Sequence, residues 1–301
     1  MEMKKTLVSC AMILMGLMAY AQDVVKVSPK MKKGDVKVYV SEVTSYIADR
    51  TIKMNSEVTY TIVDALADGY VMDVETTKFD TDVDANDMMG KLLTYAEEMM
   101  KTSAMRFQVD KDGKALKILN YEEVRGKMEA GLSKFIDEIL NTPGLPPMLT
   151  KEMLMQQMQG KMTEETLLNS VQRFSSPLML NGKTIATGTE EEFIHDAMSM
   201  KAKRTYTVDG NVISTNTALN MSKEDIKKFV IDQVEKMMPD QAEMIKQNID
   251  MVINSGMLKM EMDEKATYEL QADGWVKSIK GESNVSSMGT TSKSVIAITL
   301  K

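Results

Sequence analysis

Residues 51–76, TIKMNSEVTYTIVDALADGYVMDVET, decide the fold. Ile52, Met54, Val58, Tyr60 and Ile62 recur at even spacing, the period of a strand with one face on a core. Asp68-Gly69 is a turn pair, because Gly accepts the positive φ that a tight hairpin requires. Tyr70-Val-Met72-Asp-Val74 then alternates again. Two long strands around an Ala-Asp-Gly turn predict an antiparallel hairpin.

The pattern extends in both directions. Upstream, Val36-Lys-Val-Tyr-Val40 alternates apolar and polar. Downstream, Met105-Arg-Phe107-Gln-Val109, the turn Asp110-Lys-Asp112-Gly113 and the return from Ala115 to Leu119 predict a second hairpin. Between the hairpins, residues 84–101 carry an apolar stripe through Met88, Leu92, Ala96 and Met99, which is helical spacing. Asn120-x-x-Glu123 resembles a capping box and opens a helix with Val124, Met128, Leu132, Phe135 and Ile139 on one face. Pro143-Gly-Leu-Pro-Pro147 is a stiff turn, and Thr150 and Thr163 read as caps of shorter helices. Residues 121–172 are therefore expected as a helical block.

The second half repeats this grammar. Strand-like runs are expected over about 173–219. Ser222-x-x-Asp225 resembles a capping box and opens a helix that Pro239 breaks or kinks. A further helical run reaches about Asn254, where Gly256 fits a C-terminal cap. Met257 to Leu270 alternates, Asp273-Gly274 turns it, and 275–280 and 294–300 complete the sheet. Thr59-Tyr-Thr-Ile62 echoes Thr205-Tyr-Thr-Val208, and Asp112-Gly113 echoes Asp273-Gly274. A unit of hairpin, helix and Asp-Gly hairpin, used twice, is one account; the tendency of hairpins to reuse the same residues is the other.

Strands in hairpin-linked runs specify α+β, not α/β. No Gly-rich phosphate loop follows a strand, so nucleotide-fold fingerprints are absent. The expected architecture is one domain over 22–301: a curved antiparallel sheet, half-barrel-like, with amphipathic helices packed on its concave face.

Lys-Gly34-Asp35 opening into a strand, Ala-Asp68-Gly69-Tyr70, and Phe107-x-Val-Asp-x-x-Gly113 resemble uncharacterised exported β-rich proteins of Gram-negative bacteria. The layout is similar to the half-barrel of lipoprotein-carrier and lipoprotein-receptor proteins across most of 30–300. That resemblance implies a half-barrel fold. It transfers no functional residue, and the helical block at 121–172 departs from it.

Composition narrows the function. The chain of 301 residues has 37 Lys+Arg against 44 Asp+Glu, a net charge of −7. A nucleic-acid binder shows a basic stripe instead. One Cys, one His and one Trp remove most of the parts for Cys/His zinc sites, disulfide scaffolds and Ser-His-Asp triads. Lys4-Lys5, the apolar run Thr6–Met18 and Ala19-Tyr-Ala21 read as an export signal cleaved after Ala21. The run is too short for a transmembrane span, which needs about 20 residues. The expected location is periplasmic or secreted. Leu7-Val-Ser-Cys10 resembles a lipobox, so acyl anchoring at Cys10 is the minority alternative.

Methionine is the anomaly: 31 in the chain, 26 of them after Ala21. Three readings stand. Methionine replaces leucine in the core. Alternatively, Met148, Met153, Met155, Met158 and Met162 form an adaptable apolar surface for a lipid or an acylated ligand. As a third reading, Met-x-Met pairs at 153–155, 198–200 and 260–262 bind a soft metal; such a site usually adds His or Cys, and His195 is the nearest. His195 beside Glu190–Glu192 is also a candidate base, although a paired or surface histidine is commoner. Asp80, Asp82 and Asp84, or the glutamate run, offer oxygens to Ca²⁺ but lack the calcium-loop pattern.

The favoured reading is a non-enzymatic binding protein for a hydrophobic or lipid-like ligand, with no cofactor. It predicts an internal apolar pocket. The alternatives are an envelope structural or protein-interaction module, which predicts none, and a hydrolase, which needs convergent polar groups in a cleft.

Overall fold

The computed structural model describes residues 23–47, 49–84, 88–101, 104–141, 150–159, 162–171, 173–195, 200–237, 242–254, 260–287 and 290–301. The segment read as an export signal, with Cys10 and Ala21, the turn expected at Pro143–Pro147, Met148, Met198, Pro239 and Gly256 lie outside the described residues.

Among the described residues, thirteen strands and six helices alternate in runs. The first half holds β1 (Val24–Lys26), β2 (Val36–Ile47), β3 (Arg50–Leu66), β4 (Gly69–Thr81), α1 (Met88–Lys101), β5 (Met105–Asp110) and β6 (Ala115–Ile118). A helical crossover follows: α2 (Tyr121–Leu140), α3 (Lys151–Gln159) and α4 (Glu164–Ser170). The second half holds β7 (Thr184–Ala186), β8 (Glu190–His195), β9 (Met200–Asp209), β10 (Val212–Leu219), α5 (Lys223–Met237), α6 (Ala242–Asn254), β11 (Met260–Leu270), β12 (Val276–Ser287) and β13 (Thr290–Leu300). β1 and β7 form a two-stranded ribbon.

The other strands form one eleven-stranded sheet, ordered β6-β5-β4-β3-β2-β13-β12-β11-β10-β9-β8. Every neighbouring pair is antiparallel. The chain enters mid-sheet, runs to one edge, crosses through the helical block to the opposite edge, and returns to pair β13 with β2. Each half is a meander interrupted by a helical excursion, between β4 and β5 and between β10 and β11. The repeated order of elements is thus present in the architecture.

The sheet is open but strongly curved. Ten strand spacings of about 4.8 Å would hold flat edges about 48 Å apart. Yet three consecutive residues reach both edges. Asn181 donates to the Gly113 carbonyl at the β5–β6 turn (3.2 Å), and Lys183 binds Glu191 of β8 (2.7 Å).

One end of the sheet, here the base, carries the β3–β4, β5–β6, β9–β10 and β11–β12 turns. It is plugged by residues 27–31. Lys30 donates to the Asp273 carbonyl (2.8 Å), and the Trp275 indole donates to the Lys30 carbonyl (3.1 Å). Gly274 is needed there: its φ is +84°, and a Cβ would stand 2.7 Å from the Ser28 carbonyl oxygen. Above this plug, Tyr39, Phe107, Met179, Tyr268 and Trp275 are essentially buried in one core. Tyr39 and Tyr60 meet edge to face, with centroids 5.4 Å apart.

The α+β, curved antiparallel architecture agrees with the sequence reading. The helical share of the core's cover comes from α4, through Leu167 and Leu168, and from Tyr121 of α2, beside the irregular segment that carries Leu178, Met179 and Leu180. Residues 173–183 are turns, not the strand expected from about 173 onward. Pro177 lacks a ladder donor, and Gly182 sits at φ +77°, so this run cannot pair as a strand. A second, separate apolar cluster joins Leu132, Phe135 and Ile136 of α2 to Tyr95 of α1 and Leu154 of α3. The Tyr95 and Phe135 rings stack at 4.7 Å. α5 and α6 are clasped by Lys227–Asp250 (2.7 Å) and Lys246–Glu235 (2.7 Å).

The caps divide. Ser222 and Asp225 form the reciprocal box, and the Thr163 hydroxyl accepts from the Thr166 amide. Asn120 does not cap α2. Its side chain is spent on the preceding hairpin, accepting from the Arg106 amide and donating to the Ala104 carbonyl, both 2.9 Å.

Candidate functional site

Strand alternation sends every second residue inward, so the register places inward residues in rows across the sheet. One row is polar over seven strands. Glu191 of β8 opposes Arg204, which opposes Thr217, which opposes Glu264. Glu264 opposes Ser283, then Ser294, then Ser45 of β2. Among the described residues, the buried polar side chains are Ser45, Asn181, Arg204, Thr215, Thr217 and Glu264. All but Asn181 lie in this row or next to it.

The row ends in a cleft of about 920 Å³ between the two sheet edges, under α4 and the 173–183 segment. Leu168, Phe174 and Phe193 supply apolar walls, while Lys183, Arg204 and Glu264 supply charge. Phe174 is held by its backbone, whose carbonyl accepts from the Tyr268 hydroxyl (2.6 Å). Its ring lies over Gly281, where a Cβ would come within 2.9 Å of it. That glycine makes room for the wall.

Arg204 is 3% exposed. Its Nε donates to the Thr217 hydroxyl (3.0 Å) and one terminal nitrogen to the Met179 sulfur (3.3 Å). The guanidinium stacks on Phe193 at 4.5 Å, and its ion pair with Glu191 is long, 3.6 Å. Glu191 is engaged elsewhere, by Lys183 (2.7 Å) and by the Tyr206 hydroxyl. Burial raises the Glu191 carboxyl, but the hydrogen bonds from Lys183 and Tyr206 overcome this and hold it below the usual carboxylate range. Burial pulls the Lys183 ammonium down, and Arg204 and Lys114 add repulsion, against the opposing pull of Glu191. The Tyr206 hydroxyl is pushed up by burial and by the neighbouring glutamate. The Lys183 shift is thus chiefly one of burial, and the Glu191 shift chiefly one of its hydrogen bonds.

At the other side of the cleft, the Glu264 carboxylate meets His195 Nε2 (3.3 Å) and accepts a long bond from the Ser283 hydroxyl (3.4 Å). His195 Nδ1 is buried without a hydrogen-bond partner. Among the described residues, no hydroxyl or thiol hydrogen-bonds to the His195 ring.

The glutamate run at 190–192 splits by alternation. Glu191 points inward, whereas Glu190 pairs with Lys203 (2.8 Å) and Glu192 accepts from Asn220 (3.1 Å). Asp82 accepts from the Lys53 amide of β3 (2.8 Å), and its own amide donates to the Lys53 carbonyl, continuing the β3–β4 ladder. Among the described residues, no group of three or more His, Cys, Asp or Glu is arranged to hold a metal.

Of the predicted methionine surface, Met155 and Met162 fall in the α1–α3 cluster, and Met162 is buried there. Neither lines the cleft. Met153 and Met158 lie on α3, with side chains outside the described set, and Met148 is outside it altogether. Met260 and Met262, with Met221, line a second cavity of about 650 Å³.

Sequence reasoning passed over Arg204 and Glu264. Both carry a legible signal. Met200, Ala202, Arg204, Tyr206 and Val208 form one face of β9, and Met262, Glu264, Ala266, Tyr268 and Leu270 one face of β11. A charge on the apolar face of an alternating strand is the mark of an internal polar site. Lys183, in an irregular segment, carries no such signal.

No family model and no curated protein matches the sequence. Among solved structures, the chain is similar to lipovitellin, described for its lipid–protein interactions, with a TM-score of 0.41 and 8% identity over 90% of this chain and 25% of that one. It is similar to a porin-like protein from Bacteroides uniformis ATCC 8492, with a TM-score of 0.19 and 10% identity over 92% and 98% of the two chains. It is also similar to an outer membrane channel from Pseudomonas putida F1, with a TM-score of 0.17 and 5% identity over 91% and 97%. The chain spans a quarter of lipovitellin's length. At these scores the likenesses extend to β-rich proteins and no further.

Proposed function

We propose an exported, non-enzymatic binding protein whose cleft takes a hydrophobic or lipid-like ligand. The cleft itself carries the reading. Its volume of about 920 Å³ falls in the range of small-ligand pockets, roughly 300–1,000 Å³. It joins an apolar wall of Leu168, Phe174 and Phe193 to a lining that is otherwise mostly polar and charged, which suits an amphiphile more than a wholly apolar ligand. Removing ligand apolar surface from water supplies roughly 25 cal/mol per Å². Met155 and Met162 contact such a ligand only if the α1–α3 cluster opens. Export through the Lys4–Ala21 signal to the periplasm or beyond belongs to the same proposal. A filled envelope module accounts for the base of the sheet but not for the cleft above it.

Native mass spectrometry of protein purified from the envelope of its own host tests the reading, before and after organic extraction. An extractable adduct of lipid-like mass is expected, with uptake of a fluorescent fatty-acyl probe after extraction. A clean mass together with no probe uptake would refute it.

A further inference from the structure

We infer that the cleft selects amphiphiles with an anionic headgroup, a carboxylate or phosphate seated between Arg204 and Lys183, the chain lying along Phe174 and Phe193. The inference rests on the binding-protein reading above and names its ligand class.

The argument starts from Arg204. A guanidinium has five N–H donors and no acceptor. This one is withdrawn from water, yet its hydrogen bonds run to neutral hydroxyls, of Thr217 and Tyr206, and to a thioether, which is a weak acceptor. Its carboxylate partner stands at 3.6 Å and serves Lys183 and Tyr206 at shorter range. Lys183 and Lys114 line the same corner. Buried Arg204 and half-buried Lys183 thus share the carboxylate of Glu191, with the exposed Lys114 adding positive charge at the rim. Glu264 stands in the same row beyond Thr217, two strands from Arg204, and is met by His195; Glu165 and Arg173 also line the cleft.

Excess charge held away from water is costly until it is paired. An incoming carboxylate or phosphate supplies that pair through charge-assisted hydrogen bonds, and the planar arginine fork matches both anions. The apolar wall decides between a free anion and an amphiphile. Phe193 lies against the guanidinium, so a headgroup on Arg204 brings its own chain onto Phe193 and Phe174.

Competition against a neutral fluorescent acyl probe, on solvent-extracted protein expressed from the whole sequence, tests this. The competitors are oleate, 1-oleoyl-lysophosphatidate, uncharged monoolein and inorganic phosphate. Oleate, lysophosphatidate or both should compete at least tenfold better than monoolein, and inorganic phosphate should fail. The better of the two identifies the headgroup as carboxylate or phosphate. Lys183→Met and Arg204→Met should each bring the anion-to-monoolein ratio close to one, with Arg204→Lys intermediate. Glu191→Gln, which removes the internal competitor, should raise the ratio severalfold; this variant tests the idea even if Arg204→Met fails to fold. Equal competition by monoolein and oleate overturns the headgroup assignment while leaving an acyl-binding cleft in place. Competition by phosphate alone replaces the amphiphile with a free anion. Probe uptake by none of these proteins removes both readings.

Discussion

Along β11, neighbouring inward positions serve two different interiors. Tyr268 and Leu270 are sealed into the base, where Trp275, Tyr39 and Phe107 fill the space. Glu264, two rows above Tyr268, lines the open cleft with a carboxylate. From Glu264 to Tyr268 the β11–β12 ladder is regular, with a register shift only at Glu269–Leu270, so the difference between those rows is one of side chains. The base buries large apolar groups and gives its few polar atoms partners, as the Tyr39 hydroxyl does with the Val276 carbonyl (2.7 Å). The row above buries Arg204 and Glu264 with long or weak partners. The comparison teaches that large apolar burial is concentrated at the base and buried charge one or two rows higher.

The largest expected effect breaks the base. Trp275→Ala removes a side chain that is 1% exposed together with its hydrogen bond to Lys30. A loss of about 3–5 kcal/mol is expected in urea denaturation followed by circular dichroism. A loss under about 1 kcal/mol would mean that the base does not carry the fold. Next is Gly274→Ala, which forces a Cβ against the Ser28 backbone at φ +84°. Its expected cost is about 1–3 kcal/mol in the same assay. Equal stability would show that the plug can shift.

The polar row should respond differently. Glu264→Gln keeps the shape while removing a charge from a site that is 5% exposed. Unfolding free energy within about 1 kcal/mol of the parent is expected, because an ion held with long partners contributes little net stability. A loss as large as that of Trp275→Ala would erase the distinction between the two regions.

The smallest effect concerns pH. Burial opposes ionisation of Glu191, but hydrogen bonds from Lys183 and Tyr206 set its folded value below its unfolded one. Its stabilising contribution is therefore complete above the unfolded value, about 4.3, and is lost as pH falls through the folded value. Melting temperatures between pH 7 and pH 3 should fall further for the parent than for Glu191→Gln. Parallel curves would show that Glu191 gains nothing from its partners.

Much of this was legible beforehand. Even spacing of Ile52, Met54, Val58, Tyr60 and Ile62 reports a half-buried strand, and β3 is one. Ser222 and Asp225 announce a cap, because a hydroxyl and a carboxylate three residues apart serve each other's amides. Asn120 shows where such local reading stops. The same side chain finds the Arg106 amide at hand, and that contact exists only once the β5–β6 hairpin has formed.

The cleft was less legible for a related reason. Glu191, Arg204 and Glu264 lie in three strands, and only the register puts them in one row. Lys183 joins them from a turn 21 residues before Arg204 in the chain.

The amino-acid order by itself determined the hairpins, most helix positions and the α+β class, since periodicity and turn chemistry act over a few residues. It also determined which strand faces carry a charge. Tertiary structure alone decided that the sheet edges approach each other, that residues 173–183 lie between them, and that Lys183 meets Glu191 there. Those outcomes depend on twist and curvature summed over eleven strands, a long-range property to which each residue contributes a little and which no short stretch specifies.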